Sequence, residues 1–247
     1  VVGAAVATVL GYVVSTIIAL IQLFLTKQKV KPVFKNCLEP QMIKLIFSYG
    51  LPSFVMNALG AFTVNFANMF LVQYSDTAVA FFGAYFKVQQ LIFMTVNGLI
   101  QGCLPIMRFN YRAKEYGRLK QANKSGTIIA TVMMIVGMLL VLIFPKEILF
   151  LFSASEEMCA FGVPAMRIMS LGFVFSSFSA MIATYEQATD SIMPGVVVQL
   201  LRQGVLLVPV IWLLNSAVQM TGIWLAFPIT EFVTFLVAVV FAKIKNH

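Results

Sequence analysis

The chain has 247 residues, of which 60% are hydrophobic and 11% are charged, with a formal net charge of +8. A soluble domain carries about 25% charged residues, so this composition excludes an ordinary soluble globule. The three cysteines are too far apart for a metal site or a disulfide framework, and the one histidine is the last residue. Histidine catalysis and metal binding inside a bundle are therefore excluded, and we expect no enzyme.

Long apolar stretches make up almost all of the chain. About 20 apolar residues in a helix cross a bilayer core, and these stretches lack the alternation of barrel strands. We therefore predict an all-α integral membrane protein. The predicted spans are residues 1–25, 42–73, 78–107, 126–151, 160–185, 194–215 and 220–242. Because the chain begins with Val inside an apolar stretch, we expect the first span to be the last helix of something longer.

The basic residues of the connections predict how the spans are oriented. Four lysines lie in 26–41, six basic residues lie in 108–125, and two lysines lie in the tail from 243. The connections 74–77, 152–159 and 216–219 have no Lys or Arg. Because basic loops stay inside, we predict a cytoplasmic C terminus and a cell-membrane location. The predicted inner connection 186–193 is acidic and is an exception to this pattern. We expect no nucleic-acid partner, because the basic residues are confined to short loops between spans.

Two neighbouring spans each carry polar side chains at helical spacing, and these are our candidate cavity-lining residues. They are Asn57, Asn65 and Asn68 in the second span and Lys87, Gln90, Asn97 and Gln101 in the third. Residues three and four positions apart lie on one helix face. Two interpretations remain open, a hydrated cavity between these faces and interhelical hydrogen bonds without a pathway.

Four ionisable residues lie inside the predicted spans: Lys87, Arg167, Arg202 and Glu231. A charge at the bilayer centre costs several kcal/mol, so such groups face a partner, water or the bundle interior. The two arginines are near enough to the span ends to reach the interface instead. Arg202 and Glu231 form a candidate intramembrane ion pair, although Glu231 also has the alternatives of pairing with Lys87 or of binding a proton or cation.

The third span carries a specific resemblance. Residues 97–106 (NGLIQGCLPI) and 110–114 (NYRAK) resemble the "GL-QG-PI…NYGA" signature of multidrug and toxic compound extrusion (MATE) transporters. Further segments resemble that family in the same order along the chain. They are 3–8 (GAAVAT), 50–54 (GLPSF), 68–71 (NMFL), 201–203 (LRQ) and 222–228 (GIWLAFP).

The resemblance implies a MATE-type helical bundle. Residues 1–25 would be the last helix of an N-terminal lobe, 26–41 a cytoplasmic basic linker, and 42–247 the C-terminal six-helix lobe. Such a transporter exports small amphipathic, often cationic compounds in exchange for H⁺ or Na⁺ by alternating access. The implied partners are that substrate, the lipid bilayer and the missing N-terminal lobe, with no cofactor besides the transported ion.

The sequence departs from the family at several positions. Arg112 and Ser75 stand where the family commonly has glycine. One bacterial branch uses carboxylates in its seventh and tenth helices, but residues 52–72 and 162–185 contain no Asp or Glu. We therefore expect the coupling-ion site in the missing first half.

Two other functions remain as alternatives. Lys87, Arg167 and Arg202 give positive charge that suits a flippase of lipid-linked precursors or polysaccharide lipids from the same superfamily. A seven-helix receptor is suggested by the helix count alone.

Overall fold

The computed structural model describes residues 2–25, 39–189, 196–198 and 200–245. Its described helices are α1 (Val2–Leu25), α2 (Pro40–Leu71), α3 (Asp76–Arg112), α4 (Tyr116–Ile143), α5 (Pro145–Phe150), α6 (Glu156–Ser170) and α7 (Gly172–Ala188), followed by a π-helical turn (Leu201–Val205), α8 (Leu207–Val218) and α9 (Met220–Lys245). The predicted linker 26–41 lies mostly outside the described residues.

The described part of the chain is helical and contains no strand, which confirms the prediction of an all-α membrane protein. Five described segments are long and apolar enough to cross a bilayer: Ala5–Phe24, Asp76–Arg112, Tyr116–Ile143, Glu156–Ala188 and Met220–Lys243. Two shorter apolar helices, Ala58–Leu71 and Leu207–Val218, lie in the predicted second and sixth spans. The predicted sixth span also includes residues 194, 195 and 199, which lie outside the described residues.

Two predicted segments differ from the helices of the structure. The basic connection predicted over 108–125 is helical except at residues 113–115, because α3 runs to Arg112 and α4 starts at Tyr116. Hydropathy marks only the apolar part of a helix, whereas backbone hydrogen bonds continue into its polar ends. The predicted span 126–151 is divided at Phe144, since Pro145 occupies the first turn of α5, where its missing N–H costs nothing.

Side-chain caps define where two of the spanning segments begin. The Ser75 hydroxyl oxygen accepts a hydrogen bond from the Ala78 amide at 3.0 Å, and Asp76 follows in the first turn of α3. Ser155 accepts in the same way from the Met158 amide at 3.2 Å at the start of α6. A hydroxyl acceptor satisfies a free amide of the first turn, and an acidic residue there suits the helix dipole.

The chain divides into two compact units, residues 1–51 and 52–247. In the first unit, the described side chains of α1 are mostly apolar and mostly exposed. In the second, α9 packs on α7 and α8, and α4 packs on α3 and α7. Aromatic rings fill the contact between α3 and α9, with the Phe81 and Trp224 centroids 5.2 Å apart and those of Phe82 and Phe227 5.7 Å apart. This α3–α9 contact borders the cavity described next.

Candidate functional site

A cavity of about 530 Å³ lies among α2, α3, the π-helical turn, α8 and α9. This volume is in the range of about 300–1,000 Å³ that small-molecule sites occupy. Its walls combine three phenylalanines, three side-chain amides and one pair of opposite charges. The lining residues are Gly60, Thr63, Val64, Phe86, Gln89, Gln90, Phe93, Asn97, Arg202, Leu207, Phe227 and Glu231. The mixture provides both apolar contact and hydrogen-bonding groups.

One face of α3 forms the aromatic and amide wall. Phe86, Gln90, Phe93 and Asn97 line the cavity at spacings of four, three and four residues. These spacings place the four side chains within about 60° of one another around the helix axis, at 3.6 residues per turn. Gln89 joins them at the edge of this face. The wall is therefore set by the helical period of α3.

Arg202 and Glu231 meet on the opposite wall. The Arg202 Nε donates a hydrogen bond to the Glu231 Oε1 at 2.9 Å, and the two side chains are 19% and 16% exposed. The Arg202 Nη2 donates to the Ser176 hydroxyl at 2.9 Å, and the guanidinium carbon lies 5.1 Å from the centroid of the Phe93 ring. The arginine is thus held by an ion pair, a hydrogen bond to a neutral hydroxyl and a cation–π contact.

Two glycines allow the backbones near this pair to approach closely. A Cβ on Gly204, in the π-helical turn that carries Arg202, would collide with the Thr63 hydroxyl of α2. A Cβ on Gly172 would lie 3.2 Å from the Pro228 Cα and 3.3 Å from the Glu231 Cγ. The absence of a side chain at these positions brings α2 against the turn and α7 against α9.

The two oxygens of Glu231 have different surroundings. Oε1 accepts from Arg202, whereas Oε2 is buried and has no hydrogen-bond partner within the described part of the chain. The hydroxyl of Tyr85, on α3, is also buried and has no hydrogen-bond partner within the described residues. A buried acceptor without a partner is costly and needs a physical explanation.

The structure brings together only some of the predicted cavity residues. Gln90 and Asn97 line the cavity together with Arg202 and Glu231, while Gln101, Lys87, Asn65 and Asn68 are absent from its walls. Lys87 and Gln101 are exposed and lie to one side of the lining face of α3, about 90° and about 50° around the axis from its centre. The amide of Asn65 donates to the Ala61 carbonyl at 3.0 Å. The side chain of Asn57 is outside the described set.

Sequence reasoning missed several wall residues, namely Gln89, Thr63 and the three phenylalanines. The heptad spacing of Phe86 and Phe93, with Asn97 four residues further on, was the available signal for the aromatic wall. Arg167 is not part of the site. It is exposed and its Nε donates to the Leu142 carbonyl at 3.2 Å, near the end of α4.

The fold and the cavity define a multi-pass membrane protein with a small-molecule-sized space between its helices. Residues 52–213 match the MatE family model, and the chain belongs to that family. This membership confirms the resemblance found in the sequence. It gives no support to the receptor alternative, which rested on the helix count alone.

Curated relatives match along most of this chain. The multidrug export protein MepA of Staphylococcus aureus (strain bovine RF122 / ET3-1) is 26% identical over 233 residues, covering 94% of this chain and 51% of MepA. MepA of Staphylococcus saprophyticus is 26% identical over 242 residues, covering 96% of this chain and 52% of that protein. The chain therefore spans about half the length of the curated relatives it matches.

Solved structures show the same fold. An outward-facing multidrug resistance MATE family transporter of the MOP superfamily matches with a TM-score of 0.83 at 19% identity, over 98% of this chain and 55% of that one. A MOP superfamily transporter from Pyrococcus furiosus, described by the reverse polarity of its binding pocket, matches with a TM-score of 0.84 at 19% identity, over 98% and 56%. The predicted MATE-type helical bundle is confirmed.

Proposed function

We propose that this chain is the C-terminal half of a multidrug exporter and that its cavity is part of the substrate compartment. Family membership, and the names of the relatives that match nearly all of the chain, support this function. The observation that carries it is the cavity itself, whose phenylalanines and amides suit amphipathic molecules that are held loosely and released. The missing N-terminal lobe would complete the compartment.

The proposed mechanism is antiport by alternating access. Inward flow of H⁺ or Na⁺ would drive export of a small amphipathic, cationic compound, with no other cofactor and no chemical conversion of the substrate. The cation moving down its gradient would supply the energy, and a compartment that opens to one side of the membrane at a time would couple this movement to export. The basic connections support a cell-membrane orientation with the C terminus in the cytoplasm.

The charge of the cavity favours this proposal over the flippase alternative. That alternative rested on positive charge from Lys87, Arg167 and Arg202. Lys87 and Arg167 do not line the cavity, and the charge of Arg202 is balanced by Glu231 at 2.9 Å. An anionic pyrophosphate would therefore meet a wall without net positive charge.

The test uses the complete gene product in proteoliposomes with an inward cation gradient. We expect ethidium efflux, and we expect Asn97→Ala and Gln90→Ala each to weaken apparent ethidium affinity about fivefold, because a hydrogen bond is worth about 1 kcal/mol. Gln101→Ala is the matched control, since Gln101 lies on α3 but outside the cavity.

The proposal predicts that the control is unchanged. Absence of dye efflux with either H⁺ or Na⁺ as the driving ion would contradict the exporter function. If Gln101→Ala weakens ethidium affinity as much as the two lining variants do, the cavity is not the substrate compartment. Restoration of growth in a flippase-deficient strain would support the alternative instead.

A further inference from the structure

Basic residues are concentrated where α3 and α4 meet. Residues 106–125 contain six Lys or Arg and one acid, Glu115, so their net charge is six minus one, or +5. All six basic side chains are exposed, and within the described part of the chain none of them forms an ion pair. We call this region the basic hairpin end, and its cations are Arg108, Arg112, Lys114, Arg118, Lys120 and Lys124.

The backbone holds these side chains in defined directions. Only residues 113–115 separate α3 from α4, and the Glu115 amide donates to the Asn110 carbonyl at 2.9 Å across this turn. The rings of Tyr111 and Tyr116 pack edge to face on its two sides, with centroids 6.3 Å apart. The cations of the basic hairpin end are therefore carried by two helix ends and a short closed turn.

The helix α4 is longer than the hydrocarbon core of a bilayer. Its 28 residues rise about 42 Å at 1.5 Å per residue, whereas the core is about 30 Å thick. The difference of about 12 Å corresponds to about eight residues. Because the exposed aliphatic side chains of α4 begin at Ile128, the excess length lies at its N-terminal end. The basic residues there lie at the level of the lipid headgroups.

The exposed aliphatic side chains of α4 form one stripe that an acyl chain can follow. At 100° per residue, the stripe covers an arc of about 140°. It consists of Ile128, Ile129, Val132, Ile135, Val136, Leu139, Leu140 and Ile143. Continued towards the start of the helix, this arc includes Arg118, and Lys124 lies about 20° outside its edge. A phospholipid with a chain on the stripe therefore has its phosphate near these two cations.

Membrane orientation alone does not require this arrangement. The positive-inside bias depends on how many Lys and Arg a connection contains, whichever helix face they occupy. In this hairpin, a cation continues the lipid-facing stripe of α4. Two aromatic rings at the same end are also exposed, Phe109 by 73% and Tyr116 by 54%, as is typical of rings at a membrane interface. Charge, apolar surface and interfacial rings thus occur together.

We propose that the basic hairpin end binds the headgroup of an anionic phospholipid, with Arg118 and Lys124 on its phosphate and an acyl chain along the stripe of α4. Arginine suits a phosphate because its planar fork donates two hydrogen bonds at once. A lipid whose headgroup carries an ammonium group is disfavoured, since that group would lie among six cations. The inference needs the membrane fold alone and does not depend on the export function.

Native mass spectrometry of the complete purified protein measures the binding. We expect phosphatidylglycerol to bind about tenfold more tightly than phosphatidylcholine with the same acyl chains. Arg118→Gln/Lys124→Gln should weaken phosphatidylglycerol binding about 25-fold, which is about fivefold for each lost cation, and leave phosphatidylcholine binding unchanged. Equal wild-type affinities for the two lipids, or an unchanged affinity in the double variant, overturns the proposal.

Two control variants separate a site from a general effect of charge. Lys146→Gln/Arg167→Gln also removes one lysine and one arginine, both exposed near the other end of α4, and should bind phosphatidylglycerol like the wild type. A loss as large as that of Arg118→Gln/Lys124→Gln would mean that only net charge matters. The exchange Arg118→Lys/Lys124→Arg keeps both charges and should retain most of the affinity. A 25-fold loss there would contradict the electrostatic basis.

The last measurements use the wild-type protein and so do not depend on how the variants fold. Glycerophosphoglycerol is the same headgroup without acyl chains, and it should fail to displace the lipid at about 100-fold excess because it cannot use the apolar stripe. Displacement by it or by inorganic phosphate at the lipid's own concentration assigns the cations to a soluble phosphate instead. Raising ammonium acetate from about 0.05 M to about 0.5 M should weaken phosphatidylglycerol binding about tenfold. Binding that ignores salt overturns the proposal.

Discussion

Arg167 and Arg202 interrupt their apolar stretches in similar ways, yet the structure uses them differently. Arg202 is largely buried and contacts Glu231, Ser176 and Phe93 at the cavity wall. Arg167 is exposed and donates a single hydrogen bond to a main-chain carbonyl of α4. The difference comes from the neighbours that packing brings in, because hydropathy treats the two residues alike. An intramembrane charge has a local function only where other elements surround it with partners.

The largest expected effect separates these two arginines directly. Arg202→Ala should destabilise the protein by about 3–5 kcal/mol, because it leaves the carboxylate of Glu231 buried without its cation. Arg167→Ala should change the stability by no more than about 0.5–1 kcal/mol, since it removes one exposed hydrogen bond. Denaturant unfolding in detergent, followed by tryptophan fluorescence, measures both. Equal losses of stability in the two variants would mean that the buried ion pair of Arg202 contributes no more than the exposed hydrogen bond of Arg167.

The next effect tests the packing that places the carboxylate. In Gly172→Ala the new Cβ would meet the Pro228 Cα at 3.2 Å and the Glu231 Cγ at 3.3 Å. The backbones of α7 and α9 would have to separate by a few tenths of an ångström, at an expected cost of about 1–3 kcal/mol.

Gly83→Ala is the control for this substitution. It places a Cβ on α3 where no other atom lies within 4 Å. Alanine in a helix interior is favoured over glycine, so the control should gain up to about 1 kcal/mol in the same unfolding measurement. If Gly172→Ala leaves the free energy of unfolding unchanged, the contact between α7 and α9 at this position is not tight.

The smallest expected effect concerns the hydrogen bond that holds Arg202 independently of Glu231. Ser176→Ala removes the acceptor at 2.9 Å from the Arg202 Nη2, and we expect a loss of about 1 kcal/mol in the free energy of unfolding. Ser216→Ala is the control, because the Ser216 hydroxyl is exposed and only donates to the Trp212 carbonyl of its own helix. The control should change stability by less than about 0.5 kcal/mol. If both variants behave alike, Ser176 does not support the arginine.

Part of the site could be predicted from sequence and part could not. Gln90 and Asn97 were identified because a polar residue stands out within an otherwise apolar stretch of sequence. Lys87 and Gln101 satisfied the same criterion, but they lie about 90° and about 50° around α3 from the centre of the cavity wall. The polar residues predicted on α3 occupy a wider arc of the helix than the cavity wall does. Only the arrangement of α2, the π-helical turn, α8 and α9 around the cavity decides which part of that arc faces it.

The sequence by itself determined that this chain is a helical membrane protein, because long apolar stretches cannot remain in water and must satisfy their backbone hydrogen bonds within helices. Its ordered motifs also determined the family, which the match over residues 52–213 confirms. The tertiary structure alone decided that Arg202 lies 2.9 Å from Glu231 and that one carboxylate oxygen is left without a described partner. These two residues are 29 positions apart, and their distance depends on a π-helical turn and on close contacts at two glycines. No local pattern encodes such a distance.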